Sequence, residues 1–189
     1  ATCGIMVTAS HNPPSDNAVK VYWQHGAQLL APEDKQVIDH VTRVTWIERT
    51  PFKERLADGR VEVVEEEIDE FYLDAVASQS RDSSGRDLRI LYSPMHGVGQ
   101  TSVVPVLARC GFQHVEVFGP HAKPDGDFPN VPDHVANPEN PATFDAMIAH
   151  AGNDGADLIL ATDPDADRLG CAVRRASDEA RDDLALARW

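Results

Sequence analysis

Basic residues are scarce in this chain, cysteine is scarcer, and no long apolar run is present. Lysine and arginine number 17 against 31 aspartates and glutamates, a formal net charge of −14. That balance excludes a general role on nucleic acid or on an anionic membrane, both of which need a basic footprint. It leaves an anionic small molecule open, because local lysines and arginines can outweigh the global charge. The three cysteines, Cys3, Cys110 and Cys171, are far apart. They form no zinc-type pair and no disulfide framework, so a reducing compartment, the cytoplasm, is the expectation. No stretch approaches the length of a membrane span, and no signal peptide opens the chain.

What is present is globular: 42% hydrophobic and 25% charged residues. At 189 residues and 20.7 kDa, the chain suffices for one ordinary domain, or for a small domain plus part of another. A strand-like run starts almost at residue 1, and Arg174 to Trp189 is mostly charge and alanine. The chain reads as a piece of something larger.

Gly4–Thr8 and Ala18–Trp23 read as strands around a polar loop that carries Pro13 and Pro14. Pro32-Glu33-Asp34 starts a helix with apolar positions at Val37, Ile38, Val41 and Val44. Residues 46–60 are ambiguous. Glu65–Gln79 reads as a second helix with Ile68, Phe71, Tyr72 and Val76 as its apolar stripe. The serine-rich stretch 78–86 marks a boundary between a first domain, 1–80, and a second, 86–175, with 176–189 as an unassigned tail.

Strands and helices then alternate. Leu88–Tyr92, Val115–Phe118, Asp157–Ala161 and Leu169–Val173 read as strands, and Thr101–Cys110 and the stretch from Asn140-Pro141 as helices. Phe144, Met147, Ile148 and Ala151 form a core face, Asn140 is a helix cap, and Cys110 is a small hydrophobe. The pattern implies an α/β fold of mixed sheets flanked by helices, with parallel pairing where strands and helices alternate. Ligands gather at the carboxyl ends of such strands, where the loops Ser93–Gly97 and Asp163–Asp167 fall. In the first, His96 packs or caps the nearby helix, with an approach to substrate as the alternative. Lys123 is a minor candidate for a phosphate contact.

Thr162-Asp163-Pro164-Asp165-Ala166-Asp167-Arg168 is the sharpest local signal. Three carboxylates at alternate positions share one side of an extended chain but lie about 6.6 Å apart per two residues. Magnesium holds oxygens at about 2.1 Å, so the backbone must curl to bring them together. The repulsion of three like charges invites a cation. An EF-hand is excluded, since its glycine and glutamate positions hold Arg168 and Arg174 here. A solvated acidic turn, or a phosphatase with an aspartate nucleophile, stays open. Thr8-Ala9-Ser10-His11-Asn12-Pro13 places a hydroxyl beside an imidazole in a turn. It reads as a nucleophile or as an ordinary Asx-type turn. Lys20, between Val19 and Val21, is a cleft lysine or a surface one.

Taken together, the motifs resemble the alpha-D-phosphohexomutases, the family of phosphoglucomutases and phosphomannomutases. Gly4 to Pro13 resembles the phosphoserine loop, and Asp16 to Tyr22 the segment after it, with Ala18 where most members place glycine. Ser93 to Gly99, Pro124 to Pro129 leading into Asn137-Pro138-Glu139, and Thr162 to Gly170 match in the same order. The resemblance spans about residues 4–173 and implies incomplete phosphohexomutase-type domains: the later part of the first and most of the second.

By that resemblance, Ser10 carries the phosphoryl group. Asp163, Asp165 and Asp167 hold one Mg²⁺ together with a phosphate oxygen on Ser10. Arg168 bears on the same phosphate, and His11 and Lys20 serve proton transfer or phosphate contact. The implied reaction interconverts glucose 1-phosphate and glucose 6-phosphate, with glucose 1,6-bisphosphate as intermediate and activator. Mannose or pentose phosphates are alternatives, and the larger phosphoglucomutase-like branch is favoured. The partners are a sugar phosphate and the missing domains of the same polypeptide, with neither nucleic acid nor membrane. The 189 residues alone are expected to lack turnover. A catalytically silent module or binding protein that retains the loops is the competing expectation.

Overall fold

A computed structural model of the chain describes residues 2–64, 66–82, 84–174 and 184–187. Its contacts divide the chain into two bodies, Ala1–Thr8 with Ala18–Ile68, and Ala9–Asn17 with Asp69–Trp189.

In the first body, β1 (Cys3–Val7) and β2 (Val19–Trp23) pair antiparallel, with Ile5 opposite Val21 and Met6 opposite Lys20. Helix α1 (Glu33–Thr42) starts after Pro32 with Glu33 and Asp34 in its first turn, where acids complement the helix dipole. Val44, expected on its apolar face, falls beyond the C-cap residue Arg43. Ile38 and Val41 are exposed, so α1 buries no residue within this chain. The ambiguous stretch 46–60 contains a short helix, α2 (Phe52–Ala57), which follows Pro51 in extended backbone.

Helix α3 (Glu66–Ala77) follows, its residues from Asp69 onward belonging to the second body. Its expected start, Glu65, lies outside the described residues, as does Ser83 in the expected linker. The expected stripe is corrected here. Leu73 is the buried residue, with Val76 and Ala77 half-buried beside it, while Ile68, Phe71 and Tyr72 are exposed. The helix carries apolar residues on two faces, and 3.6-residue periodicity alone cannot choose between them. Then come β3 (Arg89–Ser93), α4 (Gln100–Arg109), β4 (His114–Val117), α5 (Gly119–Ala122), α6 (Asp145–Asp154), β5 (Leu158–Thr162), β6 (Leu169–Arg174) and β7 (Leu184–Ala187). The guanidinium of Arg109 on α4 pairs with Glu70 and Asp74 on α3. The helix expected from Asn140 begins as a 3-10 turn, Pro141–Phe144, before α6. Asn140 caps that turn, its Oδ1 accepting from the Ala142 amide at 3.1 Å. Gly155, at φ +73, ends α6 in the left-handed conformation that suits glycine.

The sheet order is β4-β3-β5-β6-β7. β3 is parallel to β4 and to β5, as the alternating pattern implies. β6 is not: it pairs antiparallel to β5. Only Asp163–Arg168 separate the two strands, and a parallel return needs a crossover of a dozen or more residues. β7 extends the sheet from the tail that sequence left unassigned, and its flanks, 175–183 and 188–189, lie outside the described residues. The fold is thus α/β with mixed sheets and flanking helices.

One face of β3 and β5 carries the core. Leu91, Ile159 and Ala161 pack with Phe144, Met147 and Ala151 of the α6 region and with Phe128, Val131 and Ala136 from the irregular segment before it. Burying a side chain of the size of Phe144 or Met147 contributes about 1.5–3 kcal/mol. That packing anchors the segment that follows β3, through Met95, and the irregular segment that precedes α6. Among the described residues, no helix is long and apolar enough to cross a membrane.

Candidate active site

β3 ends at Ser93 and β5 at Thr162, and as parallel neighbours they deliver their loops to the same edge of the sheet. The loop after β3 is strained: Met95 and His96 take φ of +44° and +64°, both in the left-handed region. Packing holds them there, since Met95 is fully buried and His96 nearly so. The loop then runs against the aspartate loop. The Val98 amide donates to the Pro164 carbonyl at 2.9 Å. Gly97 lies so close that a Cβ there would collide with Pro164 backbone atoms, and a Cβ on Gly99 would strike the Tyr92 hydroxyl and Thr162 Oγ1.

The aspartate loop curls as the metal argument requires. The Ala166 amide donates to the Asp163 carbonyl at 3.0 Å, with Ala166 at φ +59. Asp163 is 0% exposed. Its Oδ1 accepts from the Arg168 amide at 3.0 Å, and its Oδ2 accepts from the Ser10 hydroxyl. Ser10 Oγ is also 2.8 Å from Asp165 Oδ1 and 3.2 Å from His11 Nδ1, and His11 Nδ1 is 3.7 Å from Asp163 Oδ2. Ser10 itself sits at φ +53. Residues 153 apart in sequence are therefore in contact, and the loop 9–17 belongs to the second body.

The donor set fits a hard divalent cation. Carboxylate oxygens of Asp163, Asp165 and Asp167 all lie within 4.8 Å of one another. Burial pushes the Asp163 carboxyl up. The Ser10 and Arg168 hydrogen bonds pull it down, and the charge of Asp165 raises it again. A cation at this point favours the ionised form and answers both the burial and the repulsion.

Of the residues expected to act, the structure brings Ser10, His11, Asp163, Asp165 and Asp167 together. Arg168 contributes its backbone amide, while its guanidinium Nη1 donates to Glu139 Oε1 at 3.0 Å. Lys20 is half-buried on β2 of the first body. Lys123 is exposed, and its carbonyl accepts from His96 Nδ1 at 2.9 Å.

Three contributors carry no assigned role in the sequence reading. Glu139 is the partner of Arg168. Tyr92 bonds Thr162 Oγ1 at 2.8 Å behind the aspartate loop, and burial pushes its phenol up to about 12. His121 is 1% exposed and braces the loop after β3. Its Nε2 donates to the Asn130 carbonyl at 3.0 Å, so Nδ1 accepts from Ser93 Oγ at 2.9 Å, which in turn accepts from the Met95 amide at 3.1 Å. Burial holds this imidazole neutral, lowering it from the ordinary value of 6.5. The stability that follows is present above 6.5 and is lost as pH falls through the lower native value, because the unfolded chain takes up the proton first. The melting temperature of the wild type should therefore fall towards that of His121→Gln between about pH 7.5 and 5. Parallel curves over that range would show that His121 carries no such linkage.

Two family models match the chain. "Phosphoglucomutase/phosphomannomutase, alpha/beta/alpha domain I" covers residues 1–48, and "alpha/beta/alpha domain II" covers residues 70–176. A phosphoglucomutase of Staphylococcus saprophyticus is 32% identical over 181 residues, covering 94% of this chain and 32% of the relative. A protein of Haemophilus influenzae named "Probable phosphomannomutase" is 37% identical over 177 residues, covering 91% and 35%. A solved phosphoglucomutase/phosphomannomutase family protein from Burkholderia thailandensis superposes with a TM-score of 0.61 at 23% identity, covering 90% of this chain and 33% of the other. The chain spans about a third of the length of the relatives it matches.

Proposed function

The chain belongs to the phosphoglucomutase/phosphomannomutase family, and from that premise we propose that it carries the phosphoserine and metal loops of a phosphosugar mutase. The observation that carries this reading is the Ser10 hydroxyl seated on the carboxylates of Asp163 and Asp165. A serine held against a cation site is placed to gain and lose a phosphoryl group, a reaction governed by positioning and charge neutralisation. The substrate favoured is a hexose phosphate, with glucose 1-phosphate converted to glucose 6-phosphate. Mannose and pentose phosphates are the alternative substrates, the first in keeping with the name of one of the two relatives.

In this reading, phosphorylated Ser10 gives its phosphoryl group to the free hydroxyl of a hexose monophosphate. The Ser10 Oγ–P bond breaks and the sugar O–P bond forms. The other phosphate of the resulting bisphosphate then returns to Ser10. His11, whose Nδ1 is 3.2 Å from Ser10 Oγ, can hold or release the hydroxyl proton. Asp163, Asp165 and Asp167 would hold Mg²⁺, which when bound supplies charge neutralisation at the phosphoryl oxygens. The Arg168 amide fixes the orientation of Asp163. Phosphate contact by Lys20 and by the Arg168 guanidinium rests on their motif positions alone. The domain division 1–80 and 86–175 belongs to the same proposal, as does the need for further domains of the polypeptide before turnover occurs.

The test is to incubate the purified full-length polypeptide with glucose 1,6-bisphosphate labelled in its phosphates, digest it and map the label. Acid-stable label on the peptide containing Ser10 is expected. Label on Asp163 as a hydroxylamine-sensitive acyl phosphate, or no label at all, would overturn the reading.

A further inference from the structure

The opposite end of the second body carries a different constellation. Near the amino-terminal ends of β3, β4 and β5, a cavity of about 250 Å³ is lined by Arg89, His114, Glu116, His150 and Asp154 among others. His150 and Asp154 lie one turn apart on α6, and Glu116 projects from β4, the edge strand of the sheet. We propose that Glu116, His150 and Asp154 form a binding site for a first-row transition-metal dication such as Zn²⁺, separate from the aspartate loop.

The geometry is already that of a ligand set. His150 Nε2 lies 3.1 Å from Glu116 Oε1 and 3.0 Å from Asp154 Oδ2, and one ligand atom from each of the three residues falls within 4.8 Å of the others. Zinc bonds of about 2.0–2.1 Å set neighbouring ligands about 2.9 Å apart at right angles and about 3.4 Å apart in a tetrahedron. Both measured spacings fall in that interval. Within the cluster one Nε2–H faces two carboxylate oxygens, both open to solvent. Among the described residues, neither carboxylate has a lysine or arginine partner within ion-pair distance. A dication that displaces the Nε2 proton satisfies all three groups at once.

The imidazole is also oriented. Its ring meets Phe118 edge-on, with centroids 5.5 Å apart, which helps keep Nε2 turned toward the carboxylates. Three protein ligands leave one or more coordination positions facing the cavity, for water or a small exogenous ligand. His114, on the same face of β4 as Glu116 and in the same cavity, supplies a further nitrogen donor nearby. The imidazole selects zinc, cobalt or nickel over magnesium, which prefers an all-oxygen shell. The bound ion ties an edge strand, hydrogen-bonded on one side only, to the helix that supports the core.

The experiment is a titration of the purified protein with Zn²⁺ by calorimetry, and with Co²⁺ by visible absorption, in excess Mg²⁺ to occupy the aspartate loop. Expected are one tight equivalent of Zn²⁺ per chain, a raised melting temperature, and at least about tenfold weaker binding in His150→Gln. Glu116→Gln, a change at an exposed strand position, serves if His150→Gln does not fold. Asp165→Asn should leave this equivalent in place. Absence of binding, or Zn²⁺ affinity unchanged by the His150 or Glu116 substitution, would overturn the proposal.

Discussion

In the full-length polypeptide, Ser10→Ala should abolish phosphate incorporation from a sugar bisphosphate and lower mutase turnover on the order of 10⁴-fold or more, the scale seen when a covalent nucleophile is removed. The expectation follows from the placement of Ser10 Oγ, which is the hydroxyl in contact with Asp163, Asp165 and His11. Removing it leaves the carboxylates and the imidazole in place, so Mg²⁺ affinity should change far less than turnover. The measurement pairs single-turnover phosphate transfer with Mg²⁺ binding on the same preparation. If the alanine variant retains phosphate transfer, Ser10 is not the carrier. A collapse of metal affinity alongside turnover would instead assign Ser10 Oγ a structural part in the cation site. Ser10 is strained at φ +53, a conformation more costly for alanine than for glycine. Ser10→Gly is therefore the companion variant that separates lost chemistry from altered backbone.

The second large effect belongs to a residue with no chemistry of its own. Gly97→Ala puts a methyl group into the backbone of Pro164. Neither side has a flexible side chain to give way, since the clash involves Pro164 Cα and its carbonyl. The Val98 amide bond to that carbonyl holds the two loops at this distance. Overpacking of this kind costs about 2–3 kcal/mol or more, equivalent to about 4–12 °C in melting temperature for a chain of this size. Mg²⁺ affinity should drop along with it, because Pro164 lies between Asp163 and Asp165 and cannot move without them. Gly126→Ala is the control, since nothing lies within 4 Å of a Cβ at Gly126. Equal melting temperatures and metal affinity for Gly97→Ala and wild type would show that the two loops are not mechanically coupled.

The aspartate and serine loops were legible in the sequence because each is a short run of reactive residues with fixed internal spacing. The strands β3 and β5 were legible because buried parallel strands read as continuous apolar runs. The face that α3 buries was not, because a helix with apolar residues on two sides carries no instruction about which one meets a neighbour. The partners of His121, Tyr92 and Glu139 were also invisible: each reaches across the fold, as when Tyr92 meets Thr162 and Glu139 meets Arg168. The His150–Asp154 spacing was on view as an i, i+4 pair, but its third member, Glu116, is 34 residues away.

By itself, the sequence determined the family, the α/β alternation and the positions of the serine and aspartate loops, since these depend on local residue order and periodicity. Only tertiary structure decided that Ser10 and Asp163 touch, that β6 returns antiparallel, and that Gly97 must lack a side chain. Those facts depend on which segments the sheet and core bring within van der Waals distance, and such proximity is a property of packing over long sequence separations.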